Sequence, residues 1–186
     1  MTPRAQSVTA DGSPDGFEPQ AGFFTQVLPG GITRLLVSAP TDQLLGVHRA
    51  LLGALEAPLS VLYRQKVDRR APRPQGAPER DYVGVDLGVD AVRAALERCS
   101  RLAYGDARAE IWVRGLRGAQ VVLDGDGLLY CYPDDPAFRD VVADLLPERE
   151  VETLLDRDYV KHWFQAEADA EEDDFITTLG LTELKR

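Results

Sequence analysis

The sequence predicts an α+β fold. The expected core is a ferredoxin-like βαββαβ arrangement of two tandem β-α-β units, its sheet extended by a C-terminal β-hairpin and followed by a helical C-terminal segment. Three observations carry this expectation. First, the order strand–helix–strand occurs twice, and the hydrophobic phase returns when the chain is slid by 48 residues. Leu35, Val37 and Ala39 then fall on Val83, Val85 and Leu87, and Leu44, His48, Leu51 and Leu55 fall on Val92, Leu96, Cys99 and Ala103. Right-handed crossovers put both helices on one face of one sheet. Second, residues 109–138 hold three short β-branched and aromatic runs parted by Gly115-Leu116-Arg117-Gly118 and Asp124-Gly125-Asp126-Gly127, the signature of successive hairpins. Third, 186 residues with 44% hydrophobic and 28% charged side chains make an ordinary globular composition, enough for one core without disulfides or metals.

The elements follow in order. Residues 1–20 are rich in Ser, Pro, Gly, Asp and Thr and read as a disordered arm. Residues 23–28 form a strand, and Pro29-Gly30-Gly31 turns it into a second strand, 32–39. That turn lays 23–28 beside the central strand of a ferredoxin-like sheet, which has no free edge. Either the segment crosses elsewhere or the sheet is ordered differently. Thr41 caps a helix that Pro58 ends, with Leu44, His48, Leu51, Leu52 and Leu55 on one face. Strand 59–66 alternates cleanly. Strand 82–87 turns Val83, Val85 and Leu87 to one side, and a helix to about residue 103 and strand 109–114 complete the second unit. Residues 120–123 and 128–132 widen the sheet. Asp135 and Pro136 open a helix striped by Phe138, Val141, Val142 and Leu145. Helices are expected again over 148–164 (Val151, Leu154, Leu155, Tyr159, Trp163) and 168–179, closed by Gly180. The chain thus divides into an arm, 1–20; a sheet domain, 21–135; and an acidic helical segment, 136–186, packed on the sheet.

No phosphate loop, dinucleotide fingerprint, nucleophile elbow or metalloprotease motif occurs, so no catalytic residue, cofactor or metal site is assigned. The Asp-Gly-Asp-Gly run lacks the remaining ligand positions of a calcium loop. His48 reads as a half-buried helix residue. His162 lies four residues after Asp158 on the expected helix, without a third ligand. Cys99 and Cys131 match no disulfide framework or zinc spacing and read as free buried thiols. No secretory h-region and no apolar run of membrane-spanning length is present, so a bacterial-type cytoplasm is reached by elimination.

Charge is more informative. The formal net charge is -10, which repels phosphate backbones. Residues 64–80 run the other way: Arg64, Lys66, Arg69, Arg70, Arg73 and Arg80 oppose Asp68 and Glu79, a net of +4 in a Pro-rich loop between the two units. From Glu148 on, twelve acids oppose five bases, a net of -7. That acidic pole suits a basic partner or the protein's own basic loop. By alternation Leu36, Leu62, Tyr82 and Trp112 point away from the helices, as a face that the C-terminal helices cover or, if exposed, as a binding face built on Leu62, Tyr82 and Trp112. The expected function is a non-enzymatic protein-binding or regulatory module acting through charged surfaces, with another protein as partner. Two alternatives stand beside it: nucleic-acid association through 64–80, disfavoured by net charge, and a small-molecule-binding protein or enzyme with a pocket between sheet and C-terminal helices.

Overall fold

A computed structural model of the chain describes residues 2–70 and 79–185. In chain order, β1 (Ala5–Ser7) is followed by the hairpin β2 (Gly22–Val27) and β3 (Thr33–Ser38), then α1 (Thr41–Gly53), β4 (Leu59–Gln65) and β5 (Arg80–Leu87). Next come α2 (Val89–Arg98), α3 (Ser100–Gly105), β6 (Ala109–Arg114), β7 (Gln120–Leu123), β8 (Leu129–Tyr132) and α4 (Pro136–Ala143). A single 3-10 turn at Leu154–Asp156, β9 (Val160–His162), a second such turn at Ala166–Ala168, α5 (Asp169–Thr178) and β10 (Thr182–Glu183) complete the chain. Eight strands form one antiparallel sheet in the order β10-β5-β4-β6-β7-β8-β3-β2, and β1 pairs with β9 apart from it.

This α+β architecture does not have the ferredoxin-like strand order. There β3 would be central, between β5 and β6. Here β3 pairs with β8 and β2, because the two glycine hairpins insert β7 and β8 between β6 and β3. The β5–α2–α3–β6 crossover skips one strand, β4, whereas β3–α1–β4 skips three. Reordering also resolves the place of residues 22–27: β3 keeps a free edge, and β2 takes it.

All five helices pack on one face of the sheet. Leu51 and Leu52 of α1, Leu96 of α2, Tyr104 of α3, Phe138 of α4 and Phe175 of α5 are buried in one cluster with the inward residues of the strands, among them Leu35, Val61, Ile111 and Leu123. The long second helix is broken at Cys99, whose backbone (φ -98°, ψ 41°) leaves the helical region. Cys99 and Cys131 are both free and buried. Asp135 caps α4 through its side chain, with Pro136 at the first helical position.

Three expectations are corrected. Residues 148–164 are not a helix. The apolar spacing is there, but Thr153 and Asp156 close a single turn on themselves as a capping box, and the main chain beyond finds distant partners: Trp163 N–H donates to Arg4 O and Ala107 N–H to Trp163 O. The N-terminal twenty residues include β1 and the buried Arg4, so they are not a disordered arm. In β5 Leu87 packs inward as expected, but Val83 and Val85 do not: Tyr82 and Gly84 take the inward positions, because Asp86 takes φ 57° at a register shift opposite Leu59–Val61 and flips the phase of the strand.

Candidate interaction surfaces

The described parts of the basic segment, 64–70 and 79–80, lie against the protein's own acids. Arg64 Nε lies 3.0 Å from Asp81 Oδ1, and its guanidinium stands 5.5 Å above the Trp112 ring. Lys66 pairs with Glu110, and Arg80 Nη1 with Asp68 Oδ2 at 3.1 Å. Arg69 reaches Asp169 at 2.5 Å, and Arg70 reaches both Glu172 (3.0 Å) and Asp173 (2.7 Å), on the first turns of α5 where the helix dipole already favours acids. The opposite poles seen in the sequence therefore meet. Of the six basic residues singled out there, five are paired in this way, and Arg73 lies outside the described residues.

Beneath this clasp is a buried charge network that local sequence signals do not announce. The Glu172 carboxylate accepts from Tyr63 Oη (2.5 Å), Gln65 Nε2 (2.9 Å), Arg70 Nη2 (3.0 Å) and Arg108 Nη1 (3.2 Å). Arg108, fully buried, also makes a two-pronged contact to Asp106 through Nε (2.9 Å) and Nη2 (3.0 Å). Burial is the largest influence on Arg108 and opposes its charge, but the hydrogen bonds and charges of Asp106, Asp169 and Glu172 together outweigh it and raise the guanidinium. Burial and the Glu172 charge raise the Tyr63 hydroxyl well above its ordinary value. Hydrogen bonding from Arg69 holds Asp169 down at about 2. Each carboxylate has fixed cationic partners, so the network ties α5 to β4 and β6. Arg108 carries only one sequence hint, the short spacing Asp106-x-Arg108 at the mouth of an apolar strand.

The second face of the sheet carries an apolar row that crosses seven strands. By register Val83, Leu62, Trp112, Val122, Tyr130, Leu36 and Phe24 stand side by side. Leu36 and Trp112 thus point where the alternation predicts, and Leu62 with them. Tyr82 does not: it is paired with Tyr63 on the helix side, their rings 6.2 Å apart. The row is not covered by α5, which packs on the opposite face. Val151, from the irregular segment after α4, seals Leu36, Val122 and Tyr130, while Leu62, Val83 and Trp112 remain half-buried.

A second polar cluster surrounds Arg4. Its guanidinium donates to the carbonyls of Ala103 and Ala109, and burial lowers its basicity. Nearby, Asp124 accepts from the Asp126 and Leu128 N–H groups (3.0 and 2.9 Å) and from Tyr130 Oη (3.1 Å). Burial, then the Asp126 charge, pushes Asp124 up to about 6. Buried His48, with Nδ1 3.1 Å from Tyr104 Oη, is held neutral down to about 3, chiefly by desolvation and then by Arg4. His162 does not share a helix with Asp158; it lies in β9, 2.9 Å from Asp126. Among the described residues no group of three or more His, Cys, Asp or Glu is arranged to hold a metal, and no helix is long and apolar enough to cross a membrane.

Residues 134–159 hold nine acids and three bases, a net of -6, and all three arginines bond within the protein. Arg139 pairs with Asp134 and Glu148, Arg157 with Glu152, and Arg149 donates to Ala21 O. The same stretch exposes Leu145, Leu155 and Tyr159. Compared with protein-family models, with curated proteins and with solved structures, the chain has no significant match.

Proposed function

We propose that this chain is a protein-binding module that presents an acidic surface, residues 134–159, to a basic protein partner. One observation carries the reading: the described basic residues of 64–80 are paired with α5 and neighbouring acids, while the stretch 134–159 stays net negative and is interspersed with exposed apolar side chains. Acids set the long-range attraction and the partner's sign, and leucine and tyrosine supply area to bury on contact. The same pairing argues against nucleic acid, because Arg69 and Arg70 already neutralise carboxylates and the remaining field repels phosphate. Selection of a random peptide display library on the immobilised chain tests this. Enriched peptides are expected to be rich in Lys and Arg, and a triple variant, Asp140→Asn, Asp144→Asn and Glu150→Gln, is expected to bind them at least about tenfold more weakly. Enrichment of neutral or acidic peptides, or equal binding by the triple variant, overturns the reading. Single-stranded DNA is expected not to bind even at low salt.

A further inference from the structure

We infer that the outer edge of β2 is a strand-addition site for an extended, basic segment of a partner protein. This rests on the acidic-surface reading above and gives it a location. In β2 the odd-numbered residues turn their main-chain groups away from β3: Phe23 N–H donates outward to Pro147 O (3.2 Å), and Phe23 O accepts from Arg149 N (3.0 Å). The next two outward positions are Thr25 and Val27. Neither main-chain N–H donates to another described segment, and neither carbonyl accepts from one. An unpaired edge of this kind is a template for another strand. Edges are commonly blunted by charge, proline or brevity. The opposite edge is blunted by brevity, since β10 has two residues. Thr25, Gln26 and Val27 carry neither charge nor proline, and Val27 is 69% exposed.

The space beside this edge fits a guest with basic side chains. A groove of about 350 Å³ runs along it, with Phe24, Gln26 and Leu36 on one wall and Glu150, Leu155 and Asp156 on the other. Its lining holds two carboxylates and no basic residue. Asp156 is occupied in capping Thr153; Glu150 is exposed and makes no ion pair among the described residues. A guest strand hydrogen-bonded to Thr25 and Val27 would alternate its side chains. One set would enter the groove, where a Lys or Arg meets Glu150 and an apolar residue meets Leu155, which is 54% exposed.

The probe is a short peptide alternating lysine and valine, capped at both ends, with a glutamate-for-lysine peptide as its opposite. Binding is followed by amide NMR shifts on the full chain at low salt. The lysine peptide is expected to move the Thr25 and Val27 amides most and to protect them from hydrogen exchange, and the glutamate peptide to do neither. Val27→Pro removes an outward donor that the β2–β3 ladder does not use and is expected to weaken binding at least about tenfold. Val27→Thr keeps that donor and is expected to bind as the parent does. Shifts centred on other acidic residues, or unchanged binding by Val27→Pro, overturn strand addition while leaving the acidic-surface reading standing. Absence of any binding by the lysine peptide overturns both.

Discussion

At the scale of single residues, the groups around Arg4 set two opposed pH responses. Asp124 ionises near 6 in the folded chain but near 4 when unfolded. The folded state therefore holds the extra proton between those values, and stability falls as pH rises through that window. His48 is neutral down to about 3 in the fold, whereas an unfolded histidine takes its proton near 6.5. Its contribution is complete above about 6.5 and is lost as pH falls. Between about pH 4 and 6 the two slopes cancel. Asp124→Asn keeps an acceptor for the Asp126 and Leu128 N–H groups and removes one side of the balance. The unfolding free energy of this variant, from urea titration, is expected to drop as pH falls from 6 to 4, by up to about 1.4 kcal/mol per pH unit, where the parent stays flatter. Asp169, held at about 2, adds stability that disappears only as pH falls from about 4 through 2. Arg108→Met leaves Asp106 and Glu172 charged and buried without their central partner. A loss of about 3–5 kcal/mol is expected from equilibrium denaturation.

At the scale of elements, strands were legible where alternation was undisturbed. β4 buries Leu59, Val61, Tyr63 and Gln65 and half-exposes the residues between, as its sequence says. β5 has the same residue types, but the positive φ at Asp86 shifts its phase, and no local signal marks a non-glycine residue for that role. Residues 148–164 read as a helix because their apolar spacing suits one. Their partners, Arg4, Phe23 and Ala107, lie far away in the chain, and long-range main-chain bonding overrides local periodicity. Of the candidate site, the meeting of the basic segment with α5 was legible as two opposite poles, while Arg4 and Arg108 were not, each being a single arginine in unremarkable surroundings. Gly22 shows how closely the irregular segment packs: a Cβ there would lie 2.5 Å from Val151 Cγ1 and 3.3 Å from Arg149 O. Gly22→Ala is expected to push residues 149–151 off the β2 edge, costing about 1–3 kcal/mol and opening 148–158 to limited proteolysis ahead of the rest of the chain.

At the scale of the whole molecule, antiparallel neighbours close a sheet whose pairings are remote in sequence. Leu36 stands beside Tyr130, and Leu62 beside Trp112. The buried clasp from α5 to β4 and β6 joins residues farther apart still, Tyr63 to Glu172. This also explains why strand order escaped the sequence: a hairpin's existence is local, but which edge it extends is decided by strands about a hundred residues away. The seven-strand apolar row has a consequence for the order of events during synthesis. While a ribosome is still adding residues before 129, β3 has only β2 beside it, and the middle of the row, Val122–Tyr130–Leu36, does not exist. Chains tethered through a translational arrest sequence are therefore expected to generate no strong folding force until residue 132 has cleared the exit tunnel. The nascent chain is expected to stay open until then, and to join the two halves of its sheet in one step.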